Sequence, residues 1–227
     1  MKTLLLAALA LALIAAPDSR SAAAGSIRGQ IHVPPLSPAP ARARDPYAGR
    51  ASAIPNPRVP ERGAPKDAVV YIESLDASVN EALPAPPARP KLAQEQQSFL
   101  PRVVVVPAGG SVEFPNKDPI YHSVFSVSPA KRFDLGRYGR GTSKRVTFPK
   151  AGLVTVYCDI HSNMEGFVFV APNRAVAQPD ESGRFALPDL PPGRYTLLAW
   201  HPDLTPLRRE VTVPESGDVD LDLRFAP

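Results

Sequence analysis

Three side chains that bind soft metals fall within seven residues, Cys158-Asp159-Ile160-His161-Ser162-Asn163-Met164, as a thiol, an imidazole and a thioether. Cys158 is the single cysteine of the 227-residue chain, and Met164 is one of two methionines, the other being the initiator. A second imidazole, His122, follows the upstream segment Phe114-Pro115-Asn116-Lys117-Asp118-Pro119-Ile120-Tyr121. A lone C-x-x-H is a weak signal, but the four donors together are specific. Thiolate and thioether suit Cu(I), while imidazole suits Cu(II) as well. Two imidazoles and one thiolate in a plane, with a weak axial thioether, make a copper site that exchanges single electrons with little rearrangement. The expected ligands of one copper ion are therefore His122, Cys158, His161 and Met164. Zinc could use the same donors, but three conventional ligands and a thioether are a poor structural zinc set. The bland alternatives are a buried, inert cysteine and a core methionine. His32 and His201 are read as non-ligands, and Trp200 as core.

To gather these donors, a tight loop after a strand must turn Cys158, His161 and Met164 toward one point. A neighbouring strand end must then present His122. The composition agrees: 29 prolines exclude long helices and central strands free of interruption. Apolar–polar alternation or β-branched runs mark strands over residues 26–33, 67–73, 103–106, 111–114, 124–127, 145–148, 153–157 and 166–170. Ala108-Gly109-Gly110 and Phe148-Pro149-Lys150-Ala151-Gly152 read as turns. Short strands with proline and glycine turns imply an all-β sandwich. Residues 34–66 carry nine prolines and read as an insertion rather than an element.

The N-terminus reads as an export signal over residues 1–24. It has Lys2, an uncharged apolar run from Leu4 to Ala16, and Ala22-Ala23-Ala24 before Gly25. The run is short for a membrane span, and an uncleaved anchor is the alternative. Removing residues 1–24 takes away Lys2, Arg20 and Asp18, and lowers the net charge from +4 to +3. That mild basicity does not imply a nucleic-acid partner. A single thiol in an exported chain has no internal disulfide partner, so it must be buried or used.

The loop C-x2-H-x2-M, with His122-Ser123-Val124 upstream, resembles the cupredoxin (blue copper) family, and its spacing is most similar to that of amicyanin. The resemblance covers about residues 97–172 and reaches 26–75 only loosely, as edge strands. It implies a Greek-key β-sandwich with copper at one end, in an exported or periplasmic protein that passes single electrons. Where the family often has Asn after the first histidine, this chain has Ser123. In the family the histidine of the C-terminal loop exposes its ring edge, which implies docking around His161, with Ile160, Ser162, Asn163, Pro119 and Ile120. Lys131, Arg132, Arg137, Arg140, Lys144, Arg145 and Lys150, against Asp134 alone, could steer an acidic redox partner or simply form a solvated face.

A second unit follows Ala171. Gly183-x-Phe185-x-Leu187-x-x-Leu190-Pro191-Pro192-Gly193-x-Tyr195-x-Leu197 resembles the carboxypeptidase regulatory-like (transthyretin-like) β-sandwich. The expected organisation is residues 1–24 signal, 25–172 cupredoxin domain with its insertion, and 173–227 a small sandwich packed on the first. No catalytic constellation appears, so the expectation is a carrier rather than an enzyme. A copper oxidase or nitrite reductase would need further histidine centres, and only His32 and His201 remain. A copper storage, delivery or sensor protein is the alternative that the ligand set leaves open.

Overall fold

The computed structural model describes residues 25–37, 58, 61–86 and 89–226; the expected export segment and most of the proline-rich stretch lie outside them. Strands β1 (Ile27–His32) and β2 (Val69–Ile72) precede a short helix, α1 (Ala77–Ala82). Then come β3 (Ala93–Glu95), β4 (Ser98–Leu100), β5 (Val103–Pro107), β6 (Ser111–Pro115), β7 (His122–Ser128), β8 (Lys131–Tyr138), β9 (Ser143–Thr147), β10 (Gly152–Tyr157) and β11 (Glu165–Ala171). The chain ends with β12 (Val176–Ala177), β13 (Arg184–Ala186), β14 (Gly193–His201), β15 (Leu204–Val213) and β16 (Val219–Arg224). The protein is all-β, as expected.

Two sandwiches result. In the first, the sheet β5-β11-β10-β7-β8 faces the pairs β6-β9 and β3-β4. Its core includes Leu92, Phe99, Phe114, Val124, Phe148 and Val156, together with Cys158 and Met164. In the second, β13-β1-β16 faces β12-β2-β14-β15 around Ile27, Ile31, Ile72, Phe185, Leu197 and Leu223.

The two strands nearest the N-terminus fall elsewhere than expected. β1 runs parallel to β16 and antiparallel to β13, and β2 pairs with β12 and β14. Both belong to the second sandwich, not to the edge of the first. Alternation shows that a strand has a buried face but not which sheet receives it. Here the buried face of β1, Ile27 and Ile31, meets Phe185 and Leu223, which lie more than 150 residues later in sequence.

The sandwiches join through a third apolar cluster. Val103, Phe167, Phe169 and Ala171 on the first meet Val69, Tyr71, Val176 and Trp200 on the second. Alternate residues of β5 and β11, namely Val104, Val106, Val168 and Val170, point into the first core. Likewise Val70 and Ile72 of β2 point into the second. Strands buried on both faces read as unbroken apolar runs, which explains the composition of Val103–Val106 and Phe167–Val170.

Candidate metal centre

His122 opens β7 and Cys158 follows the end of β10, two strands that pair through Tyr157 and Phe125. A β-bulge between Ser123 and Phe125 shifts the register of β7 against β8. Such a bulge re-aims side chains, and His122, Ser123 and Val124 are all buried in succession. After Cys158 the chain turns, with the Met164 amide donating to the His161 carbonyl at 3.1 Å, and β11 begins at Glu165.

The turn brings three donors together. His122 Nδ1 and His161 Nδ1 stand 3.0 Å apart, and the Cys158 sulfur lies 4.0 Å from the first and 3.7 Å from the second. A point equidistant from these three atoms lies about 2.1 Å from each, close to the ~2.0–2.3 Å of metal–imidazole and metal–thiolate bonds. The spacing of these donors therefore suits a metal ion. His122 and Cys158 are buried and His161 is half-buried, at the margin of the core. Met164 is 1% exposed and packs in the same apolar core as Cys158. The structure thus brings His122, Cys158 and His161 together, and buries Met164 in the core that also holds Cys158. His32 stands apart, 3.0 Å from Asp222. His201 is buried in the second sandwich, facing the Ala64 carbonyl at 3.2 Å and accepting the Asp203 amide at 3.1 Å.

The surroundings favour a thiolate. Burial pushes the Cys158 thiol up, but hydrogen bonds from His122, His161 and the Ser123 amide outweigh it and hold the thiol at about 5. The Ser123 amide reaches the sulfur at 3.5 Å. Burial pushes the His122 imidazole down, but its contacts with the Cys158 sulfur and the Asp118 carboxylate prevail, leaving it above its ordinary value. The Ser123 hydroxyl donates to the Asp159 carboxylate and accepts the Asp159 amide at 2.8 Å. Arg137 closes on the same carboxylate at 3.3 Å. The serine that departs from the family pattern thus fastens the cysteine loop to β7.

Asp118 touches this cluster although the sequence pattern does not single it out. It is buried, and its Oδ2 lies 2.8 Å from His122 Nε2. A carboxylate there accepts the Nε2 proton and leaves Nδ1 free to ligate. Asp118 also accepts the amides of Gln96 and Gln97 at 2.7 and 2.9 Å. Those two residues form the β3–β4 turn, both with φ of 54°. Asn116 shapes the loop between, donating to the carbonyls of Ile120 and Tyr138 and accepting the Asp118 amide, each at 2.9 Å. The one signal in the sequence is a carboxylate four residues before His122.

No family model and no curated protein matches the chain. Among solved structures, a Cu-containing nitrite reductase from Thermus scotoductus is 29% identical over 38% of this chain and 23% of its own, with a TM-score of 0.35. A purple cupredoxin from Nitrosopumilus maritimus is 25% identical over 32% of this chain and 81% of its own, with a TM-score of 0.30. Amicyanin from Paracoccus versutus is 22% identical over 45% of this chain and 97% of its own, with a TM-score of 0.35. This chain spans less than a quarter of the nitrite reductase and nearly all of the amicyanin. Each likeness is confined to less than half of this chain.

Proposed function

We propose that this chain is an exported, periplasmic one-electron carrier that holds a single copper ion. His122, Cys158 and His161 would be the in-plane ligands and Met164 the weak axial one. The observation that carries this reading is the triangle of two imidazole nitrogens and one sulfur, already at metal-binding separations. A bound copper would supply the one-electron couple. The chain's own residues do the rest. The imidazoles and the Ser123 amide keep Cys158 ionised at neutral pH. Asp118 and the Ser123–Asp159 link hold His122 and the cysteine loop in place. A donor set fixed before binding needs little reorganisation when its charge changes.

His161 is the only one of the three in-plane donors with substantial exposure, so it is the natural point of electron entry. Ile160 (38%), next to His161 in sequence, and Tyr121 (66%), next to His122, are exposed. Of the basic residues between 131 and 150, Arg137 and Arg145 are paired with Asp159 and Glu113, and Lys131 and Arg132 stand beside Ser128 and Val127 at the far end of β7 from His122. Arg140, just beyond the end of β8 that pairs with His122, could steer an acidic redox partner. Among the described residues no helix is long and apolar enough to cross a membrane. A copper oxidase or nitrite reductase would need further histidine centres, and the two other histidines lie apart from each other, His32 beside Asp222 and His201 beside the Ala64 carbonyl. The second sandwich we read as a carboxypeptidase regulatory-like module.

The deciding experiment is the visible spectrum of the chain from Gly25 onward after Cu(II) is added, beside Cys158→Ser. An intense thiolate-to-copper band in the first and not the second is expected. A colourless wild type that still binds copper would replace the electron carrier with a copper store or delivery protein.

A further inference from the structure

Arg102 lies between β4 and β5, where the sandwiches meet, with its side chain 11% exposed. Its guanidinium donates two bonds, of 2.6 and 3.0 Å, to Asp203 in the β14–β15 turn of the second sandwich. Arg62 Nε and the Gly63 amide donate to the same carboxylate, each at 3.2 Å. A bidentate, nearly dry pair with its remaining sites filled has one geometry. Arg102 is therefore fixed in place by the second sandwich.

On its other side Arg102 touches the strand that leaves the metal loop. Its carbonyl accepts the Phe167 amide at 2.8 Å. Its guanidinium lies 5.3 Å from the centre of the Phe167 ring and 3.9 Å from the Glu165 carboxylate. Between them, Gly166 is pressed so close to Phe99 that an added Cβ would stand 2.8 Å from Phe99 Cβ. The three residues immediately after Met164 are thus each held, two by Arg102 and one by its neighbour β4.

We propose that Arg102 and Asp203 are positioning residues for Met164: through them the second sandwich fixes how far the thioether stands from the plane of His122, Cys158 and His161. The consequence for the metal rests on the copper reading, because the axial ligand tunes the redox potential of a copper–thiolate centre. The placement of Met164 itself does not.

The test compares wild type, Arg102→Lys and Asp203→Asn with Leu223→Ala, which opens a cavity in the second core without removing any of the bridge's hydrogen bonds. Met164 is the one methionine after the leader, so its methyl resonance in the metal-free protein reports its position directly. That resonance is expected to shift in both bridge variants and stay in place in Leu223→Ala. With Cu(II) added, the relative intensities of the thiolate-to-copper bands and the reduction potential should change in the bridge variants alone. An unmoved methyl resonance in a folded bridge variant overturns the proposal, as does an equal shift in Leu223→Ala. If one bridge variant does not fold, the other decides. If even wild type gives no intense band, the copper reading falls, and the metal-free methyl shift still decides whether the bridge places Met164.

Discussion

At the scale of single residues, the centre is a thiolate prepared by its neighbours. The Cys158 thiol is held at about 5 against an unperturbed 9.0, a depressed value. The stability it contributes is complete above the unfolded value and is lost as pH falls through about 5. In the metal-free protein, ultraviolet absorbance of the thiolate should therefore titrate near pH 5, and Ser123→Pro, which removes the amide donor, should move the midpoint upward. A midpoint at the ordinary thiol value would contradict the geometry. Asp118 gives a second prediction. Asp118→Asn keeps an acceptor for His122 but removes the charge, and copper affinity should drop about 10–100-fold in a competition titration. The cluster of His122, Cys158 and His161 is legible in the sequence because rare donor types sit at a telling spacing. Asp118 is not, because an acidic residue in a proline-containing loop looks like solvent-facing decoration. Only the fold shows that its side chain is buried between His122 and the β3–β4 turn.

At the scale of elements, strands are easier to read from sequence than their partners. The segments around residues 103–106, 153–157 and 166–170 form β5, β10 and β11, and their unbroken apolar character follows from burial on both faces. β8 hides within a basic stretch. Its outward residues Arg132 and Asp134 are charged while Phe133 and Leu135 pack on the core, and at Gly136 (φ 63°) the two-residue period slips, so that Arg137 is exposed and Tyr138 buried. β1 belongs to a different sheet from the one its position in the chain suggests, since nothing local records that its neighbour would be β16. Gly29 marks that pairing: an added Cβ there would stand 2.0 Å from the Leu221 carbonyl oxygen. Gly29→Ala should therefore cost about 3 kcal/mol, at the upper end of overpacking effects, seen as a lowered thermal midpoint. An unchanged midpoint would mean that β1 and β16 are not closely paired.

At the scale of the whole molecule, two sandwiches share an interface that is apolar at its centre and charged at one end. Asp67 is buried there, 3.8 Å from Arg102, and burial pushes its carboxyl up to about 6 despite that arginine. Burial also pushes the Asp203 carboxyl up, but its bonds from Arg102 prevail and hold it at about 2. The signs are opposite. Asp67 becomes less destabilising as pH falls through 6 toward 4, and the stabilising effect of Asp203 is lost only as pH falls from about 4 toward 2. The interface should thus be firmest near pH 4. Asp67→Asn should stabilise the protein at pH 7 by on the order of 2 kcal/mol, since each tenfold weakening of the acid corresponds to ~1.4 kcal/mol, and have little effect at pH 4. Equal effects at both values would show that Asp67 is not held uncharged by burial. The pairing of β1 with β13 and β16 also imposes an order on the protein's manufacture. Every strand of the first sandwich has been synthesised by Ala171, whereas β1 must wait for Val219–Arg224 before its sheet can close. Because domains generally fold as units in the order they emerge, the inner sandwich can take shape while both ends of the outer one are still open. Arg102 receives Asp203 only in the last act of assembly.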